Sequence, residues 1–159
     1  MGGAEGRARR DSRRSKRLIV LDTSVLLYAV GGEHRLRQPS LRLVDAIGGG
    51  SVDARTTPEV VQEFVHVYGR RRPREVAARH GRRYAELLAP LLVVTAVDLG
   101  QGLRLYERHG DLGAFDAVLA ATAIRTDADA LVSADKGFAS VRGLVHVAPG
   151  TDAFERLLA

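Results

Sequence analysis

Four apolar residues, Leu18-Ile19-Val20-Leu21, stand directly ahead of Asp22-Thr23-Ser24, and a second apolar run, Val25-Leu26-Leu27-Tyr28-Ala29-Val30, follows. A short run with β-branched residues suits a strand buried on both faces, as in parallel sheets. The Asp-Thr-Ser step offers helix N-cap chemistry, so the second run predicts a helix. A carboxylate at the C-terminal end of such a strand lies where open α/β sheets place their ligands. Capping alone also accounts for Asp22, and within this segment it is the simpler account.

The pattern repeats along the chain. Gly31-Gly32 breaks the first helix, and Pro39 opens another over 39–47, with Leu41, Leu43, Val44 and Ile47 on one side. Gly48-Gly49-Gly50 ends it, and 51–56 is a weak strand candidate. Thr57 caps a helix that begins at Pro58 and carries Val60, Val61, Phe64, Val65 and Tyr68 at helical spacing as far as Gly69. Arg70-Arg71-Arg72-Pro73-Arg74 turns the chain into a helix over 75–88, which Pro90 closes. Residues 91–95 read as a buried strand, 99–107 as a helix and 113–125 as a longer one. A short buried strand over 130–133, a weak strand over 144–147 and a terminal helix over 152–158 complete the series. Strands alternating with helices predict one α/β domain built on a parallel sheet, with no repeat and no internal boundary.

Composition changes this picture in two places. The chain has no cysteine, which excludes disulfides, thiolate metal sites and cysteine nucleophiles. The formal charge of +5 is carried by residues 1–17, whose seven basic residues face only Glu5 and Asp11; the remaining 17 basic and 17 acidic residues balance. That Gly- and Arg-rich stretch has no apolar periodicity and is expected to be a disordered tail, with the domain spanning 18–159. Met1 is the only methionine, so a natural start near Leu18 through a non-ATG codon is a compatible alternative. Asp22 interrupts the apolar stretch after the basic run and no small-residue cleavage site follows, which argues against a secretory signal. No run is long enough to span a bilayer, and a cytoplasmic location is expected.

Four carboxylates stand out by context. Asp22 ends the first strand, and Asp135 follows 130–133 in the same relation. Glu63 precedes Phe64 on a mainly apolar helix. Asp116 lies in Ala114-Phe115-Asp116-Ala117-Val118-Leu119-Ala120-Ala121-Thr122-Ala123-Ile124, where only Asp116 and Thr122 are polar. A helix apolar nearly all round is buried, and a carboxylate near its start is costly unless paired or metal-bound. Singly, each acid has a structural explanation: caps for Asp22 and Asp135, an exposed pair with Arg70 for Glu63, a first-turn dipole acid for Asp116. Jointly they require four coincidences. Acids gathered at one sheet edge raise one another's pKa, and a divalent cation relieves this. An all-oxygen set favours Mg²⁺ or Mn²⁺ over zinc.

Leu21-Asp22-Thr23-Ser24-Val25-Leu26-Leu27 resembles the opening motif of PIN-domain nucleases. Glu63, Phe115-Asp116-Ala117-Val118-Leu119-Ala120-Ala121-Thr122-Ala123 and Leu131-Val132-Ser133-Ala134-Asp135-Lys136-Gly137-Phe138 follow in that family's order and spacing. The likeness spans 18–147, and the size is most similar to VapC-type toxins of bacterial toxin–antitoxin pairs. It implies a three-layer α/β/α fold around a mainly parallel sheet of about five strands, and a Mg²⁺-dependent endoribonuclease leaving 5′-phosphate and 3′-hydroxyl ends. Asp22, Glu63, Asp116 and Asp135 match the family's acidic quartet. Asp22 and Asp116 are expected as central metal ligands, and Glu63 or Asp135 as ligands of a second ion or orienters of water. Ser133 matches a family hydroxyl, with Thr23 and Ser24 as further support; Asp98 and Asp111 stay outside the quartet. The resemblance also implies a cognate VapB-like antitoxin and a homodimer.

An acidic site repels RNA, so flanking cations are needed; Arg70, Arg71, Arg72, Arg74, Arg79, Arg82 and Arg83 are the candidates, each of which also suits a solvated helix face. Other readings are an inactive PIN-like RNA- or protein-binding module and a metal-dependent phosphatase with Asp22 as nucleophile. The phosphatase chemistry normally needs a second Asp where Ser24 stands, and loss of a quartet acid would mark the inactive module. A receiver-type signalling domain clusters its acids ahead of the first helix, unlike Asp116. No Gly-rich phosphate loop opens a helix.

Overall fold

A computed structural model describes residues 17–159; the tail expected at 1–17 lies, but for its last residue, outside the described residues. The sheet has four parallel strands in the order β2-β1-β3-β4: β1 (Leu18–Leu21), β2 (Asp53–Arg55), β3 (Ala130–Val132) and β4 (His146–Val147). Ile19 pairs with Ala54 on one side and with Ala130 on the other, so β1 is central. Ile19, Val20 and Leu21 are essentially inaccessible, as are Ala130, Leu131 and Val132. The apolar runs are therefore buried on both faces, as parallel strands require.

Seven α-helices are present among the described residues: α1 (Thr23–Val30), α2 (Arg37–Gly48), α3 (Pro58–Tyr68), α4 (Arg74–Leu87), α5 (Ala96–Arg108), α6 (Ala114–Arg125) and α7 (Asp152–Leu158). The chain runs from β1 outward to β2, then crosses back past β1 to β3. This reversal makes the carboxyl ends of β1 and β3 a topological switch point, where such sheets bind ligands. Phe64 of α3 packs edge-on against Tyr84 of α4, whose hydroxyl donates to the Leu26 carbonyl of α1 at 3.0 Å. That bond ties α4 to the helix that follows Asp22.

Residues 91–95 do not form the expected fifth strand. The segment makes one ladder-like bond, from the Leu92 N–H to the Thr56 carbonyl at 2.9 Å, and then leaves the sheet. Pro90 has no N–H to donate, Val93 is 70% exposed, and Thr95 already caps α5. The cap is a reciprocal one: Asp98 N–H donates to Thr95 Oγ1 and Thr95 N–H to the Asp98 carboxylate. This box starts α5 three residues ahead of the expected 99. Gly102 lets α5 lie against α6, because a Cβ there would sit 2.7 Å from the Val118 Cα.

Candidate functional site

Asp22 follows β1 and keeps one foot in the sheet, its N–H donating to the Val132 carbonyl at 3.1 Å. It is also the N-cap of α1. Its side chain is held entirely through Oδ2, which accepts from Ser133 Oγ at 2.6 Å, Ser24 Oγ at 2.9 Å and the Ser24 N–H at 3.4 Å. Among the described residues no donor reaches Oδ1, and Asp22 lines a cavity of about 430 Å³. One oxygen is pinned, and among the described residues the other carries no hydrogen bond.

The two serines do more than fix Asp22. Ser133 Oγ accepts from the Asp135 N–H at 2.9 Å, and Ser24 Oγ from the Ala134 N–H at 3.0 Å. The turn after β3 is thereby stitched to the turn after β1. Asp135 caps the 3₁₀ turn Lys136–Ser140, its Oδ1 accepting from the Gly137 N–H at 2.8 Å. Gly137 is obligatory here: a Cβ would come within 2.4 Å of the Asp111 carbonyl oxygen. On α3, Glu63 accepts a 2.6 Å bond from Thr23 Oγ1 through Oε2. Thr23, Ser24 and Ser133 thus each touch a carboxylate of the set. Arg70 does not pair with Glu63; its Nη2 bonds His66 Nε2 at 3.0 Å.

Asp116 sits in the first turn of α6, half-buried, and lines the same cavity as Asp22 and Glu63. Burial pushes its carboxyl up to about 7; the charges of Asp22, Asp135 and Glu63 and a hydrogen bond with Asp135 push the same way. Asp22, Glu63 and Asp135 therefore all act electrostatically on Asp116, although among the described residues no three Asp, Glu or His side chains form a ready-made metal cage. The rest of the cavity wall is largely apolar and includes Leu99, Leu103 and Phe115. None of the three breaks the local pattern as the acids do; their one signal is that Leu99 and Leu103 are spaced one turn apart on a face of α5 that does not pack on the core.

Asp98 belongs elsewhere. It is 1% exposed and holds Arg125 through two bonds of 2.7 and 2.9 Å, in addition to its capping role. Burial opposes its ionisation, but the Arg125 and Thr95 bonds outweigh that and hold the carboxyl below its ordinary range. Asp111 is exposed and contributes its carbonyl over Gly137. Arg70, Arg71, Arg72, Arg74, Arg79, Arg82 and Arg83 are all exposed, and among the described residues none pairs with a carboxylate.

The PIN domain family model matches residues 19–144. Ribonuclease VapC7 of Mycobacterium tuberculosis (strain ATCC 25618 / H37Rv) is 47% identical over 145 residues, which are 89% of this chain and 98% of that protein. Ribonuclease VapC13 of the same strain is 27% identical over 131 residues, 82% of this chain and all of that one. In fold, the chain resembles VapBC2 from Rickettsia felis bound to a promoter DNA fragment. That match has a TM-score of 0.63 at 18% identity and covers 82% of this chain and 98% of the other. No helix among the described residues is long and apolar enough to cross a membrane. The strand-end Asp22, the helix-borne Glu63 and Asp116 and the Asp135 turn are set in a chain that belongs to the PIN domain family, among its VapC-type members.

Proposed function

We propose that this protein is a Mg²⁺-dependent endoribonuclease acting in the cytoplasm, the toxin of a VapBC-type pair. Mn²⁺ is the alternative metal. The observation that carries the reading is the pinning of the acids. Asp22, Glu63 and Asp135 are each held through one carboxylate oxygen, Asp22 lines the cavity, and its second oxygen carries no hydrogen bond among the described residues. Likeness to proteins named ribonuclease VapC supports the same conclusion.

A divalent cation fits this donor set. Hard carboxylate oxygens suit Mg²⁺, which keeps several waters and so needs no closed protein cage. Asp22 and Asp116 would hold it. Bound there, it would lower the pKa of a coordinated water and offset charge on an in-line phosphodiester transition state. The chain's own contribution is positional. Ser24 and Ser133 fix the direction of Asp22, Thr23 fixes Glu63, and the Gly137 N–H fixes Asp135. Glu63 or Asp135 orients the attacking water or holds a second ion. Asp116 would give up its proton on binding a cation, whose positive charge would offset the burial and the neighbouring carboxylates that hold the proton in place. The exposed arginines around the α3–α4 turn supply phosphate contacts that position RNA. A VapB-like antitoxin and a second copy of the chain complete the expected partners.

Purified protein with Mg²⁺ or Mn²⁺ should cleave RNA, and chelation should stop it. Asp22→Asn and Asp116→Asn should each lower the rate by at least about 100-fold, as loss of a group central to charge stabilisation does. Cleavage by those variants at the wild-type rate would overturn the assignment.

A further inference from the structure

A second cleft, of about 750 Å³, opens between α3 and α4 and is lined by Val61, Gln62, Val65, His66, Gly69, Arg70, Arg74, Ala77 and Ala78. Its floor is aliphatic. Its rim carries an amide, an imidazole and two guanidinium groups. An unpaired base with its phosphates presents the matching features: an apolar face, hydrogen-bonding edges and negative charge.

Helical geometry links this cleft to the acidic site. Glu63 faces the cavity at the acids, and Gln62 and His66, its neighbours on the same helix, line the cleft. His66 stands three positions beyond Glu63, about 4.5 Å along the α3 axis at about 1.5 Å per residue, and Arg70 follows in the turn just past the end of the helix. A short stretch of single strand can therefore touch both. The arginines divide accordingly. Arg74 lines the cleft with Ala77 and Ala78, whereas Arg79, Arg82 and Arg83 are exposed and do not line it. Arg70 is oriented by His66 Nε2, which must accept because guanidinium can only donate. The other N–H groups of Arg70 remain available, and no carboxylate among the described residues neutralises Arg70 or Arg74.

We infer that the α3–α4 cleft is a second binding surface for single-stranded RNA, with Arg70 and Arg74 on its phosphates and Gln62 and His66 beside an unpaired base. This rests on the ribonuclease reading for its substrate class. Binding measured without catalysis keeps the two separable.

The test is binding of a fluorescein-labelled single-stranded oligoribonucleotide to the full chain in EDTA, across salt concentrations. The Arg70→Ala, Arg74→Ala double variant should bind roughly tenfold more weakly. The slope of log affinity against log salt should shrink by about 1.4, at about 0.7 for each single-strand phosphate that an arginine no longer neutralises. The fall must exceed that of a charge-matched Arg142→Ala, Arg156→Ala control; an equal fall means net charge alone, and overturns the inference. Gln62→Leu, which keeps the cleft's volume, should narrow the spread of affinities among the four homopolymers; an unchanged spread overturns the base contact. If the arginine variant binds RNA normally but changes mass in solution, the cleft is an interface between copies and the inference fails. Wild-type protein that binds RNA through the cleft yet never cleaves it would instead sink the nuclease reading.

Discussion

Asp116 is the residue whose chemistry depends most on its neighbours. Its carboxyl is raised to about 7, first by burial and then by three other acids, against an ordinary value near 3.9 in the unfolded chain. The native state therefore holds a proton that the unfolded state has lost between about pH 4 and pH 7. Stability falls as pH rises through that window, and the full cost is present above it. Metal-free wild type should show a urea midpoint that drops from pH 5 to pH 8, relative to Asp116→Asn, in which the group cannot titrate. Under the proposed metal assignment Mg²⁺ would compete with that proton, so its addition should raise the melting temperature of the wild type more at pH 8 than at pH 5. Equal shifts at the two pH values, or none at either, would remove Asp116 from the metal site. The readout needs no RNA.

At the scale of elements, α5 and α6 are locked by Asp98 and Gly102, which have no part in the acidic cavity. Asp98 completes the capping box of α5 by accepting from the Thr95 N–H, and it reaches Arg125 at the far end of α6. Asp98→Ala loses both interactions and should cost at least about 1.5 kcal/mol, the low end for a lost hydrogen bond to a charged group. Asp98→Asn keeps a capping oxygen and should fall between, which denaturant titration of the three proteins will rank; an Asn variant no better than Ala would mean that the cap contributes little. Much of this architecture is legible in the sequence because each signal is local. The run 18–21 is apolar throughout, Thr57-Pro58 announces α3, and the apolar residues around Asp116 mark α6 as buried. What the sequence hid is set by partners distant along the chain. Residues 91–95 have strand composition, yet their one ladder-like bond among the described residues runs from Leu92 to Thr56. Asp98 looks like a spare acid until Arg125, 27 positions on, reaches it. The four acids were legible for the opposite reason: each breaks a strong apolar pattern. The bonds from Ser133 to Asp22 and from Thr23 to Glu63 span 111 and 40 positions, and no periodicity encodes them.

At the scale of the whole molecule, one surface is left incomplete. Leu99, Leu103 and Tyr106 lie at successive turns on the outer side of α5 and are 50%, 47% and 50% exposed, and Phe115 at the start of α6 is 75% exposed. The adjacent side of α5, through Asp98 and Gly102, is committed to α6. A stripe at helical spacing with apolar neighbours is what a second helix covers, and the same stripe on a twofold-related copy is self-complementary. Because Leu99, Leu103 and Phe115 also line the cavity at the acids, a partner seated there would wall the cavity without contributing to the cluster itself. Light scattering of the eluting protein should give twice the chain mass for the wild type. Leu103→Glu sets a charge in the middle of the stripe, where an unpaired buried charge is costly, and should elute at the single-chain mass. Its far-UV circular dichroism should stay that of the wild type, because Leu103 makes no part of the buried core. A wild type already monomeric at micromolar concentration, or a variant still dimeric, would leave the stripe without that partner. In the second case the dimer would have to form elsewhere, and the α3–α4 cleft would be the first place to look.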